Sequence, residues 1–316
     1  MSTTTKSPKK VARAAFKIAK SALPPYAHRY SPQKFTQPQL FVCLVLKIFF
    51  KTDYRGIVAI LNDSPDLCKC FRLKTVPHFT TLQKASRRLL QLNMANKLLH
   101  ATIDRSTVDL AAVDSTGLEA GHISRYFVRR KRSKQLEAYE ETQYKRFPKL
   151  AVVCDCKNHL ILSAITTRGP SVDVNQFCKT LKPAADQFHI KHLLADAGYD
   201  SENNHRYARD IYQIKTTILP KAGRPTKKLP KQKYRREMRT DFDSENYGQR
   251  WQVETVFSMI KRNFGETIRA RKYWSQNREM MLLAITHNIA IILIVKELFY
   301  RAGLTPFPAI PLLESC

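Results

Sequence analysis

Tyr247–Lys261 reads Y-G-Q-R-W-Q-V-E-T-V-F-S-M-I-K, with no Gly or Pro after Gly248. Val253, Val256, Phe257, Ile260 and Phe264 recur at i, i+3, i+4, i+7, the pattern of a helix with one buried face. On the same wheel Tyr247, Arg250, Glu254 and Lys261 fall within about 60° of one another, beside the apolar stripe rather than opposite it. One carboxylate is thus expected on a core-anchored helix with two cations and a phenol on its own face. A metal-binding carboxylate flanked by phosphate-binding cations has this pattern. So does a salt-bridged amphipathic helix, because Arg250 and Glu254 are four residues apart.

Composition narrows the choice. The 316 residues carry a formal net charge of +28, and the sequence pI is about 10. A folded chain this basic points first to nucleic acid and second to an anionic membrane surface. Hydrophobic residues make up 43% of the chain, enough for a sizeable core and, at this length, for two domains. The seven cysteines are odd in number and follow no disulfide framework, which implies a reducing compartment. Two C-x-C pairs have the spacing of half a zinc site. Cys154 and Cys156, however, lie in a strand-like apolar run, where cysteine serves as a small core residue. No secretory signal is read at the N-terminus. The first 52 residues contain no acid, as a mitochondrial presequence also would. The basic bias continues through the whole chain, so a DNA-contacting tail is the simpler reading. The apolar run Met280–Val295 is interrupted by Thr286, His287 and Asn288 and is short for a bilayer, so a buried helix is expected and no membrane partner.

Taken in order, residues 1–33 form a basic arm expected to be mobile, with a short helix over Val11–Lys20. Residues 34–106 read as helices: Gln37–Lys51, then Tyr54–Leu61 capped by Asp53, then one starting at Thr80 or Thr81 with Lys84, Arg87 and Arg88 on it. Three short helices with a basic last member fit a helix-turn-helix-like DNA-binding domain, and equally a helical support. Residues 107–316 change periodicity. Val108–Val113 is a strand ending at Asp114. Leu150–Cys154 and Leu160–Thr166 are two more, followed by a helix over Val174–Phe188. His192–Ala195 is a fourth strand, ending at Asp196, before a helix over Ser201–Asp210 and a fifth strand, Ile214–Leu219. Basic insertions are expected at 118–148, centred on Arg129, Arg130, Lys131 and Arg132, and at 220–243, the latter as an exposed loop. The signature helix and a long terminal helix complete a mixed α/β sheet with flanking helices.

Asp114 and Asp196, at the carboxyl ends of strands, and Glu254, on a helix, are hard oxygen ligands suited to Mg²⁺, with Mn²⁺ as an alternative. A pair of such ions serves in-line phosphoryl displacement. Singly, each acid has an ordinary alternative as a turn or cap residue. Jointly, in this order, the catalytic reading is the stronger.

The spacing of Tyr247, Arg250, Glu254 and Lys261 resembles the Y-R-E-K signature of DDE transposases of prokaryotic insertion sequences, the large group of families four and five. Val113-Asp114-Ser115-Thr116 is similar to their first catalytic segment. Leu194-Ala195-Asp196-Ala197-Gly198-Tyr199-Asp200 is similar to their D-x-G-Y segment, and His287-Asn288 to their usual ending. The resemblance covers roughly residues 35–300. It implies a ribonuclease-H-like catalytic fold behind a small all-α N-terminal domain, with Asp114, Asp196 and Glu254 as catalytic metal ligands. It implies that Tyr247, Arg250 and Lys261 contact DNA; Arg129, Arg130, Lys131 and Arg132 are expected to join them by their charge. It further implies transposon-end and target DNA as partners, a homodimer or higher oligomer on DNA, and a cytoplasmic, nucleoid-associated location. A non-catalytic DNA-binding descendant and a nuclease of the same fold are the competing readings.

Overall fold

The computed structural model describes residues 6–121, 146–169, 171–221 and 229–301, with side chains to residue 294. Arg129, Arg130, Lys131 and Arg132 lie outside the described residues. The central sheet has five strands in the order β4-β3-β1-β5-β6: Ile161–Gly169, Phe147–Asp155, Thr107–Gly117, His189–Ala195 and Lys215–Ile218. The first three pair antiparallel as consecutive neighbours, and β1, β5 and β6 pair parallel. This is the mixed, helix-flanked sheet expected.

Side chains alternate across each strand, and helices cover both faces, so the strands read as nearly unbroken apolar runs. Ala112, Leu150, Val152, Cys154 and Leu194 join the cluster that contains Val253, Val256 and Ile260 of the signature helix. Ala111, Val113, Val153, Leu162 and Leu193 face the other way, with Phe177 and Leu181 of the helix Phe177–Ala185. A short strand β2 (Glu119–Ala120) follows β1 and pairs in parallel with β7 (Thr267–Ile268). That pairing ties the strand carrying Asp114 to the chain just beyond the helix carrying Glu254.

Several boundaries differ from expectation. The expected basic arm contains α1 (Pro8–Ala22), capped by Ser7 with Pro8 in its first turn. Its buried face is Val11, Ala12, Ala15, Ala19 and Ala22, so this part of the arm is built into the fold. The later helices α2 (Gln37–Phe49) and α3 (Tyr54–Asn62) match expectation, and Asp53 caps α3 through Arg55 N and Gly56 N. Two further helices flank the third expected one, α5 (Phe79–Leu89): α4 (Pro65–Lys69) and α6 (Leu92–His100). Residues of α1, α2, α5 and α6 share one apolar cluster with the sheet and the last two helices. The N-terminal helices therefore do not close a separate core.

The basic segment expected as an exposed loop over 220–243 contains helix Lys233–Thr240, anchored by buried Tyr234 and Met238. Arg235 forks onto Asp200 at 2.8 and 2.9 Å, and Arg209 onto Glu237 at 2.8 Å to both oxygens. Paired in this way, part of its charge is spent on holding the helix to the sheet.

The terminal helix runs Tyr273–Arg301. Its Tyr273–Ile294 stretch is long and apolar enough for a membrane span, yet it is mostly buried within the protein. His287 and Asn288 clasp the edge strand β4. Asn288 Oδ1 accepts from Ile161 N at 2.8 Å, and Asn288 Nδ2 donates to Ile161 O at 2.8 Å and to Thr102 Oγ1 at 2.9 Å. His287 Nε2 donates to the His159 carbonyl at 2.9 Å, and burial pushes its pKa down to about 4, so the ring is neutral. The pair satisfies backbone groups that an edge strand otherwise leaves open. Asn288→Ala strands the N–H and C=O of Ile161 in the core and removes a donor to Thr102 Oγ1. We expect it to cost about 3 kcal/mol, read as a lower urea midpoint at unchanged denaturant slope.

Candidate active site

The parallel pairing of β1 with β5 ends at Val113↔Ala195, so Asp114 and Asp196 follow side by side on adjacent strands. Asp196 sits just past β5, as expected. Asp114 does not end its strand: β1 continues to Gly117 against β3, where Asp114 pairs with Val152. It is only towards β5 that the sheet opens at this level, and this creates the notch. Each carboxylate is oriented by its own backbone. Asp114 Oδ1 accepts from Ser115 N and Asp196 Oδ1 from Ala197 N, both at 2.7 Å. Burial, foremost, pushes the Asp114 pKa up to about 6, helped by the charges of Asp196 and Asp173 and opposed by the Ser115 amide and Arg250. Like charges held close in a half-buried notch repel, and a cation between them lowers the energy of both. The donor set is all carboxylate oxygen, which suits Mg²⁺ or Mn²⁺.

The signature stretch is not one continuous helix. A short helix, Ser244–Tyr247, ends in a turn through Trp251, and helix Gln252–Phe264 follows. Gln252 N and Val253 N reach back only three residues, to Gln249 O and Arg250 O, so the chain tightens here before the regular helix begins. The apolar stripe is nevertheless as expected, with Val253, Val256, Phe257, Ile260 and Phe264 all buried. Arg250 leaves this turn and bridges two acids. Its Nη1 lies 3.4 Å from Asp114 Oδ2, and its Nη2 donates to Glu254 Oε1 at 2.5 Å. Glu254 is 56% exposed and is tied to the notch through the guanidinium rather than directly. Among the described residues no three His, Cys, Asp or Glu side chains converge on one point. Tyr247 stands beside the same charges, its pKa raised by burial first and by Asp196 and Asp114 in addition, against Arg250. Its ring lies 5.0 Å from that of Phe242. Lys261 is half-buried, two turns along the helix from Glu254.

One group of residues at this end of the sheet had no signal in spacing. Asp173 opens the turn before helix Phe177–Ala185, one residue before the helix expected from Val174. It accepts from Ser115 Oγ at 2.8 Å and pairs with the largely buried Lys149 at 2.6 Å. Lys149 also donates to Ser171 O at 2.9 Å.

The solved structure of piggyBac transposase in a synaptic complex with hairpin DNA is similar over 94% of this chain and 73% of that one, at 11% identity and a TM-score of 0.46. No curated protein matches the sequence. The profile described as "Transposase DDE domain" matches residues 106–289, more than half of the chain and all of the sheet and site just described, and the chain belongs to that family.

Proposed function

We propose that this chain is the transposase of a prokaryotic insertion sequence of the family-four and family-five group, binding the element's ends and catalysing cleavage and strand transfer at the Asp114–Asp196 notch. The observation that carries this reading is the pair of half-buried carboxylates one residue beyond the last β1–β5 rung, with Arg250 of the Y-R-E-K segment reaching one of them. Proteins of the DDE class use divalent metal, and Mg²⁺ or Mn²⁺ held by Asp114 and Asp196, with Glu254, would polarise the phosphate and activate the attacking oxygen.

The chain's own residues supply the rest. The backbone amides of Ser115 and Ala197 fix the two carboxylates, so little reorganisation is needed when charge develops. Arg250, which bridges Asp114 and Glu254, is placed to hold a non-bridging phosphate oxygen, and Glu254 would complete the ligands of a bound ion. Tyr247 borders the path by which the backbone enters. Lys261, the exposed Lys84, Arg87 and Arg88 of α5, and Arg129–Arg132 lie in the sequence as phosphate-holding cations. Binding two ends at once calls for a dimer or larger assembly, acting at the nucleoid.

The test is incubation with labelled inverted-repeat DNA, a target plasmid and Mg²⁺ or Mn²⁺. End cleavage followed by joined products is the expected result. Binding without cleavage would indicate a non-catalytic descendant, and cleavage without joining a nuclease of this fold.

A further inference from the structure

Tyr199, in the D-A-G-Y turn, is 1% exposed, and its hydroxyl makes no hydrogen bond among the described residues. An orphaned buried hydroxyl costs about 1–3 kcal/mol and asks for a partner. The ring is held firmly. It packs on Phe177 with centroids 6.0 Å apart, and Tyr199 N donates to Asp196 O at 2.9 Å. The hydroxyl is set among the carboxylates of Asp173, Asp114 and Asp196, with Ser115 close by but not in hydrogen-bonding geometry.

The same turn lies over Asp173: a Cβ added at Gly198 would sit 3.9 Å from Asp173 Oδ2. Oδ1 of that carboxylate takes Ser115 and Lys149. Oδ2 accepts no hydrogen bond among the described residues. One buried hydroxyl and one free carboxylate oxygen therefore flank the Asp114–Asp196 notch from the side of helix Phe177–Ala185, opposite to Arg250 and Glu254.

Resting on the reading of that notch as a divalent-ion site, we infer that Tyr199 and Asp173 hold water molecules of the bound ion's hydration shell. Lys149 excludes the alternative of Asp173 as a direct ligand, because an ammonium 2.6 Å from the carboxylate would stand against the ion. Mg²⁺ gives up its water reluctantly and keeps several when held by only one or two carboxylates. Metal-bound water is a strong donor. Asp173 Oδ2 accepts from it, and the oxygen of the neutral Tyr199 phenol accepts from a second such water, keeping its own proton. Both residues are positioning residues here, acting on the ion through water.

The experiment is Mn²⁺ titration of the full chain without DNA, followed by the electron-spin-resonance signal of free Mn²⁺, with thermal melts of the metal-free proteins alongside. Outer-shell partners typically contribute 10–100-fold to metal affinity. Tyr199→Phe is expected to weaken Mn²⁺ binding about tenfold, and Asp173→Asn at least as much. Metal-free Tyr199→Phe should melt no lower than the parent, since only an unpartnered hydroxyl is removed, so the loss of affinity is not a loss of fold. Tyr199→Phe binding Mn²⁺ within twofold of the parent overturns the inference. Asp196→Asn keeps the two readings apart. If it abolishes Mn²⁺ binding while Tyr199→Phe does not weaken it, the notch stands and the water-holding role falls. If the parent binds no Mn²⁺, or Asp196→Asn binds it as the parent does, both fall.

Discussion

Asp196→Asn is expected to abolish cleavage of end DNA, by at least about three orders of magnitude, while end binding stays within a few-fold of the parent. The change keeps the shape and the hydrogen-bond acceptor for Ala197 N and removes only the charge. Asp196 holds no phosphate, so binding has no reason to fall, and removing a negative group from the notch eases the approach of a polyanion. Asp114→Asn should behave alike in cleavage and differ in stability. The rise of its pKa from 3.8 to about 6 corresponds to roughly 3 kcal/mol of preference for the neutral form. The folded state therefore binds the proton more tightly than the unfolded chain. The contribution of Asp114 to stability without metal is greatest below about pH 4 and is lost as the pH rises towards 6. Metal-free Asp114→Asn should accordingly melt higher than the parent at pH 7.5 and close to it at pH 4. A divalent ion should raise the parent's melting temperature at pH 7.5, and much less at pH 5, where Asp114 is protonated. Gel shifts, cleavage assays and melts on the same preparations measure all three. An Asp196→Asn protein that cuts normally would remove that residue from the metal site.

The sequence made the sheet legible because its strands are apolar on both faces and are broken by recognisable turns. Asp114 and Asp196 could be placed for the same reason: each follows such a run directly. What pattern could not show is that the two strands are neighbours in register, Val113 to Ala195, although strands β3 and β4 intervene in the chain. The continuous signature helix was an error of periodicity. Residues 247–251 keep near-helical backbone, so the i, i+4 pair of Arg250 and Glu254 forms even though the hydrogen-bond ladder is broken there. The helix over Val11–Lys20 was expected, but its place in the core was hidden by its lysines. Its buried face is chiefly alanine, which contributes little to an apolar stripe yet allows close helix contact. Helix Lys233–Thr240 was hidden in the same way, its core contacts resting on Tyr234 and Met238 alone. Asp173 could not be found at all. A single Asp between a strand and a helix has the sequence signature of a cap, and only the fold brings it to Ser115.

Arg250 and Lys261 are expected to separate cleavage from binding. Arg250 already sits in the notch, its guanidinium 19% exposed and shared between Asp114 and Glu254. Lys261 lies seven residues beyond Glu254, about 10 Å further along the helix, and meets the DNA backbone as a point charge. Arg250→Ala should therefore lose cleavage by about 100-fold at saturating protein, the scale of removing one preorganised donor to a developing charge. Its end affinity should change by only a few-fold. It should also leave Glu254 untethered, so that Arg250→Lys, which keeps the charge but not the fork, restores only part of the rate. Lys261→Ala should instead weaken end binding and flatten the plot of log affinity against log salt by about one unit, the release of one phosphate contact. At saturating protein its cleavage rate should stay near that of the parent. Salt titrations of binding, with cleavage measured at saturation, distinguish the two. Equal losses in both variants would end this division of labour, and an unchanged salt slope for Lys261→Ala would return that side chain to the solvated face of an ordinary amphipathic helix.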